Sequence, residues 1–364
     1  MSMEGFSAAQ IAHAQATTLD YFLRGKLKDQ NRQDRPLLKK MESNTKPFTG
    51  GKELISGGAR METGAGGVND GVTGYSHTDQ VGFYNPANGL RYSYVWREHH
   101  IGWTISETQL KQQGIVVTDQ PNRVGAQKRS VEILAPVLEE AVYDFMEQYE
   151  KTMNDLLWGD GTSDTSALHG LRSSILDIPT IGTVGGLSAA TYTPWRNFAF
   201  TAAFSGHGSF DADWGGNAIT STPANGGALL QALTKLDRQL TRRGSRWDCF
   251  YAGSDFIDAM EVEIRANGGY SDTGFTQSQD GSIGDMYFKK RKVVYDPTLD
   301  DMGMEKRAYL WPSSDIKLMP LAGDWKRKRT PERPYDQFVF HQSLVCTGQL
   351  VTMQRNGSAV LDIA

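Results

Sequence analysis

Cysteine is scarce in this chain, with Cys249 and Cys346 the two present. Two thiols cannot build a disulfide framework, and they fit a reducing compartment. Long apolar runs are missing too. None approaches the roughly 18 residues that a membrane-spanning helix needs, and nothing at the N-terminus resembles a signal peptide. An excess of positive charge is also lacking. The formal net charge is -4, which argues against a dedicated nucleic-acid binder, normally basic. These absences predict a soluble chain made and kept inside a cell.

Catalytic constellations are weak throughout. Asp160-Gly-Thr-Ser-Asp164 has the look of a calcium loop but lacks the acidic ladder and terminal Glu of an EF-hand, and a helix stop and turn is the competing reading. His99 and His100 are adjacent, so on a strand they point to opposite faces and do not readily share a metal. GHGS (206–209) lacks the flanking glycines of a nucleophile elbow. Gly64-Ala-Gly-Gly departs from a dinucleotide fingerprint, and Gly50-Gly51-Lys52-Glu53 lacks the spacing and the Ser/Thr of a P-loop. Neither cysteine has a nearby His or basic cluster to mark a nucleophile, and both read as buried. No catalytic residue, cofactor site or metal site is assigned.

What the chain does contain is glycine, 39 of 364 residues, and one long periodic stretch, Ser130 to Trp158. Ile133, Leu134, Val137, Leu138, Ala141, Val142, Phe145, Met146, Tyr149, Met153, Leu156 and Leu157 recur at three- and four-residue steps. Glu139, Glu140, Asp144, Glu147 and Glu150 fall mostly on the other face. The spacing predicts a helix of roughly 43 Å, stopped by Gly159-Asp160-Gly161. Pro136 either kinks it or marks its first turn.

Before this helix, residues 1–50 are polar and uneven. An amphipathic segment near Ile11 to Leu27 precedes KLKDQNRQDRPLLKK, which has no core pattern of its own, so an arm ordered only against another surface is expected. From Gly50 to Gly82 glycines come too thickly for a packed helix. Asn88-Gly89 is a turn signal, and Leu90, Tyr92, Tyr94 and Trp96 alternate with Arg91, Ser93, Val95 and Arg97. His99, Ile101, Trp103 and Ile105 continue one face after a slip or bulge at Glu98. This predicts an aromatic two-stranded excursion whose missing surface a partner supplies.

After the helix, 165–325 reads as an α/β domain. A helix carries Leu229, Leu233, Leu236 and Leu240 and ends near Arg243-Gly244; WDCFYA (247–252) is a strand. Ser254 is placed to cap a helix carrying Ile257, Met260 and Ile264, closed by Gly268-Gly269. Strands follow at Val293–Tyr295, Ala308–Trp311 and Lys317–Leu321, and the C-terminus reads as a last strand pair with Gln354 to Gly357 near its turn. Two basic runs, Lys289-Lys290-Arg291-Lys292 and Lys326-Arg327-Lys328-Arg329, would bind phosphates or answer acidic patches on a neighbouring subunit, unless they are solvated loop or strand ends.

Taken in order, this layout resembles the major capsid protein of tailed bacteriophages, the Hong Kong 97-type fold. Three stretches carry the resemblance: YSYVWREHHIGWTISETQLKQQG (92–114) is similar to the descending strand of the family's extended loop, EEAVYDFMEQYEKTMNDLLWGDGT (139–162) to its spine helix and the turn beyond, and 334–363 to its closing strands. The resemblance implies an α+β fold with an N-terminal arm (1–50), an extended hairpin loop (51–105), a peripheral domain with the spine helix (106–165), an axial domain (166–325) and a return to the peripheral domain (326–364). It implies pentamers and hexamers of this chain forming an icosahedral shell around double-stranded DNA, in a virion assembled in a bacterial cytoplasm. The implied partners are the chain itself, a portal protein, in some assemblies a decoration protein, and DNA held by weak non-specific contact, with no membrane. The short, mixed arm is unlike a fused scaffold, so a separate scaffolding protein is expected. No crosslinking lysine–asparagine pair maps onto this chain. The expected inter-subunit contacts are Tyr92, Tyr94, Trp96, Trp103, Arg97, Lys326, Arg327, Lys328 and Arg329, with burial against the chain's own peripheral domain the competing reading for each of the four aromatics. The alternatives are an encapsulin-like compartment shell, another virion protein, and a hydrolase using Asp160, Asp164 and a histidine.

Overall fold

The long helix runs from Gln127 to Trp158 in the computed structural model, so Pro136 lies inside it and not in its first turn. The structure describes residues 33–61, 74–79, 89–106, 108, 127–164, 166–201, 204, 228–242, 244, 246–266, 286–329 and 338–363, with backbone alone at 127–141, 228, 265, 266 and 340. The expected segment 11–27, the Asn88 turn, GHGS at 206–209 and the Gly268-Gly269 stop lie outside these residues. Contacts gather the described chain into two units, one within 98–153 and 323–346, the other within 34–97, 154–322 and 347–364.

In the first unit, the strand Arg97–Ser106 pairs with the strand Val339–Thr352. Its residues alternate, with His99, Ile101, Trp103 and Ile105 turned inward and Glu98, His100, Gly102 and Thr104 exposed. The phase slips at Trp96, between two strands, and not at Glu98. Arg327–Lys328 pairs with Leu344 and Val345. Tyr149 of the long helix is buried, its hydroxyl 3.2 Å from the Cys346 sulfur.

The second unit is built on a five-stranded sheet in the order 294–295, 249–252, 307–311, 359–362, 198–200. Along its central strands side chains alternate between two covered faces. Phe250, Ala252, Ala308 and Leu310 face a core that includes Leu229, Leu233, Leu236 and Leu240 of the helix Ala228–Arg242 and Phe256 and Met260 of the helix Ser254–Ala266. Each buried leucine in that stripe is worth about 2 kcal/mol. Tyr251, Tyr309 and Trp311 turn the other way and meet Trp158, at the end of the long helix, with ring centres 5.2 to 6.5 Å away. Trp158 Nε1 donates to Asp296 at 2.9 Å, so the helix end is fixed by polarity as well as area.

Three expectations need correcting. The stretch Pro36–Ser43 is no arm waiting for a partner: it is a helix that buries Leu37, Leu38 and Met41, and Leu38 N–H donates to Asn154. The two C-terminal strands do not form a pair. Residues 348–352 pair with 316–320, whereas 359–362 join the five-stranded sheet. The helix at Ser254 is held from outside, by Asp300 accepting from Ser254 N–H and the Glu305 carbonyl accepting from Phe256 N–H.

Candidate functional site

The expected contact residues centre on a hairpin, and its register explains which of them are covered. Leu54–Arg60 pairs antiparallel with Gly89–Val95, with Gly57 opposite Tyr92 and Leu54 opposite Val95. Tyr92 and Tyr94 point to one face and are 7% and 5% exposed. The reading that these rings lack a surface within the chain is therefore corrected. They sit in a core with Val184, Leu187, Trp195, Met319 and Val351. Tyr92 stacks on Trp195 at 6.3 Å and 16°, and the Tyr94 hydroxyl donates to the Thr352 carbonyl at 3.2 Å. Burial pushes the Tyr94 phenol up to about 12.

Three glycines make this packing possible. A Cβ at Gly57 would lie 2.2 Å from the Tyr92 hydroxyl, so the ring folds back over a residue with no side chain. Gly185 and Gly186, both at positive φ, form the turn of a second small hairpin, 183–184 with 187–188, and Ser93 N–H donates to the Gly185 carbonyl.

Behind Tyr94 lies Arg355, fully buried, which the sequence reading did not single out. It donates to the Ser174 carbonyl (2.8 Å), the Trp195 carbonyl (3.1 Å) and Asn197 Oδ1 (2.8 Å). Burial lowers its pKa to about 10, which leaves it charged at neutral pH. His169 tilts against Tyr94 at 5.2 Å, and its Nε2 is buried without a partner among the described residues. Burial, with the nearby Arg355 charge, holds it down at about 4. Gln349 ties the group together by accepting from His169 N–H at 2.8 Å and donating to the Val95 carbonyl at 2.8 Å. The sequence signal for this cluster is faint: one arginine in a turn between two apolar strands.

Of the remaining expected residues, Trp96 and Arg97 directly follow the hairpin's second strand. Trp96 is half-buried and donates to the Lys52 carbonyl at 3.2 Å; Arg97 is half-buried beside it. The opposed pair Leu54 and Val95 is 41% and 49% exposed. In the other unit Trp103 is half-buried, with its Nε1 lacking an acceptor among the described residues. Lys326, at positive φ, lies 5.5 Å from the Tyr149 ring centre. Arg327 pairs with Asp324 at 3.3 Å, and Arg327, Lys328 and Arg329 are exposed.

Chemically these groups stabilise structure. Asp160 Oδ1 accepts from Thr162 N–H at 3.0 Å and Thr162 Oγ1 at 2.7 Å, a turn that closes the long helix and lowers the Asp160 pKa. The Cys249 thiol is pushed up to about 12, mainly by burial, which suppresses the thiolate. Among the described residues no three His, Cys, Asp or Glu side chains are placed to hold a metal, and no helix is long and apolar enough to cross a membrane.

By sequence, the chain matches no protein-family model and no curated protein. By structure, it is similar to the capsid of cyanophage A-1(L), with 16% identity over 93% of this chain and 95% of that one and a TM-score of 0.59. It is also similar to the capsid of a native GTA particle, with 10% identity over 96% and 98% of the two chains and a TM-score of 0.53. A third likeness is to the holo-SrpI encapsulin of Synechococcus elongatus PCC 7942, with 11% identity over 94% of each chain and a TM-score of 0.46. The first two likenesses show that the chain has a capsid-protein fold. It is the fold of the tailed-phage major capsid proteins, the Hong Kong 97 type.

Proposed function

We propose that this chain is a major capsid protein that assembles as pentamers and hexamers into an icosahedral shell around phage double-stranded DNA. The observation that carries the reading is the likeness to the cyanophage capsid subunit, which extends over nearly the whole of both chains. In this reading 1–50 is the N-terminal arm, packed on its own chain over Pro36–Ser43, 51–105 the extended loop, 106–165 with 326–364 the peripheral domain and 166–325 the axial domain. The work is done by packing area and geometry. Trp96, Arg97, Trp103 and the 326–329 run are the contacts to neighbours, with the exposed Leu54–Val95 pair beside Trp96 as apolar area for a neighbour to cover. Tyr92 and Tyr94 hold the hairpin in place for that contact. The partners are copies of this chain, a separate scaffolding protein, a portal, a decoration protein in some assemblies, and DNA held weakly inside.

The test is light scattering and negative-stain microscopy of the purified full chain, alone and with candidate scaffolding protein. Megadalton shells, rings of five or six subunits, or tubes are expected. A chain that stays a 40.3 kDa monomer at high concentration, scaffold included, overturns the reading. Particles isolated from cells that hold a protein cargo and no DNA would select a compartment shell in its place.

A further inference from the structure

The hairpin at 287–292 carries lysine where glycine or asparagine is the usual choice. Tyr287 pairs with Lys292 and Phe288 with Arg291, so Lys289 and Lys290 form the two-residue turn. Both have positive φ, 48° and 67°, where a Cβ crowds the backbone. Lys289 has a reason to be there. Its Nζ meets Asp237 Oδ2 at 2.6 Å, and Arg291 reaches Asp237 Oδ1 at 3.3 Å while lying 4.1 Å from the Trp247 ring centre. Trp247 stacks on Phe288 and donates to Asp237 at 2.8 Å, so the hairpin is fixed on the helix Ala228–Arg242. Lys290 has no such reason. It is exposed, without a partner among the described residues, and near it Tyr287 is 58% exposed. A side chain held in a costly conformation with no partner among the described residues points outward for its explanation.

The helix Ser254–Ala266 offers the complement. Asp255, Asp258 and Val262 are exposed and recur at three- and four-residue steps, which makes one acidic stripe with an aliphatic end. The buried Glu263 on the same helix accepts from Leu229 and Leu230 N–H at 3.1 Å each. The acidic helix therefore crosses the start of the helix Ala228–Arg242, and the basic hairpin is anchored at Asp237, eight residues or about 12 Å further along. A patch and its complement displaced along one element meet when copies associate head to tail, and such a contact closes into a ring when its rotation allows.

We infer that the 287–292 hairpin docks on the Asp255–Asp258–Val262 face of a second copy of this chain, with Lys290 against the carboxylates and Tyr287 against Val262. The inference rests on the shell-forming reading above and names one of its contacts.

The experiment compares full-length wild type with Lys290→Glu, Asp258→Lys, the two combined, and Lys290→Gly, by sedimentation velocity over a concentration series. Losing an exposed pair weakens each contact about twofold, which compounds to roughly thirty- to sixtyfold around a ring of five or six. Each charge reversal is expected to raise the concentration needed for assembly, and the combined variant to restore it. Lys290→Gly separates strain from contact: it is expected to raise the melting temperature, because glycine prefers this backbone, while still weakening assembly. Lys290→Glu assembling like wild type overturns the contact and leaves the shell reading standing. Should that variant instead lose affinity for a labelled double-stranded oligonucleotide, the hairpin is a phosphate contact and the inference is overturned. A wild type that never passes monomer overturns both.

Discussion

Gly57→Ala tests the packing that fixes the hairpin. Gly57 lies opposite Tyr92, and a Cβ there would fall 2.2 Å from the hydroxyl and 2.4 Å from Cζ of that ring. Two strands cannot relieve such an overlap by a small shift, so the ring has to leave. Tyr92 then gives up burial worth about 2 kcal/mol and its stacking on Trp195, about 1 kcal/mol. Alanine recovers about 0.5 kcal/mol, because glycine is a poor strand residue. The expected net loss is about 2.5 kcal/mol, read as a lower urea midpoint of the unassembled chain followed by tryptophan fluorescence. In a Tyr92→Ala background the ring is already gone, and the same substitution is expected to be neutral or to stabilise by about 0.5 kcal/mol. An equal loss in both backgrounds would refute the reasoning, because the strand and not the ring would then be rejecting the side chain.

Arg355→Met should destabilise the chain by about 3 kcal/mol, because the carbonyls of Ser174 and Trp195 and Asn197 Oδ1 lose a buried donor; an unchanged melting temperature would show that water replaces it. His169 predicts a pH dependence. Its folded pKa, about 4, lies below its ordinary 6.5, so the unfolded chain takes up the proton first. Its stability is whole above about pH 6.5, falls as pH drops towards 4 and then levels, by at most about 3 kcal/mol. His169→Gln should flatten the change in urea midpoint between pH 7 and pH 4.5, and equal slopes in the two proteins would refute the assignment.

Elements that carry their own period were legible in the sequence. The stripe of Leu229, Leu233, Leu236 and Leu240 put a helix where the structure has Ala228–Arg242, because each leucine faces the same sheet. The stretch beginning at Ser130 differs from the observed helix by three residues at its start, where polar Gln127 to Arg129 add less than one turn and nothing to the apolar pattern. The helix Pro36–Ser43 was hidden for the opposite reason. Three buried residues, Leu37, Leu38 and Met41, are too few to rise above a run of charges, and its partner Asn154 is 116 residues away from Leu38. Two strands flanking a short turn at Gln354 to Gly357 ordinarily pair. Here Arg355 anchors that turn in the interior through three hydrogen bonds, and the strands leave it for different sheets.

The hairpin shows how a correct pattern still left its meaning open. Alternation placed Tyr92, Tyr94 and Trp96 in sequence without saying what each would meet, since Trp195 and Thr352 come from distant parts of the chain. With Tyr92 and Tyr94 committed inward, the residues left for a neighbour are those of the other phase and the slip: Val95, Leu54 across from it, Trp96 and Arg97. In the shell-forming reading this division is useful. A loop already ordered by its own chain does not have to lose that freedom again when a neighbour arrives, so less of the contact energy goes into fixing the loop and more remains to hold subunits together. The Tyr92 and Tyr94 rings then act on assembly through position, and Gly57→Ala should weaken it without touching a residue at the contact.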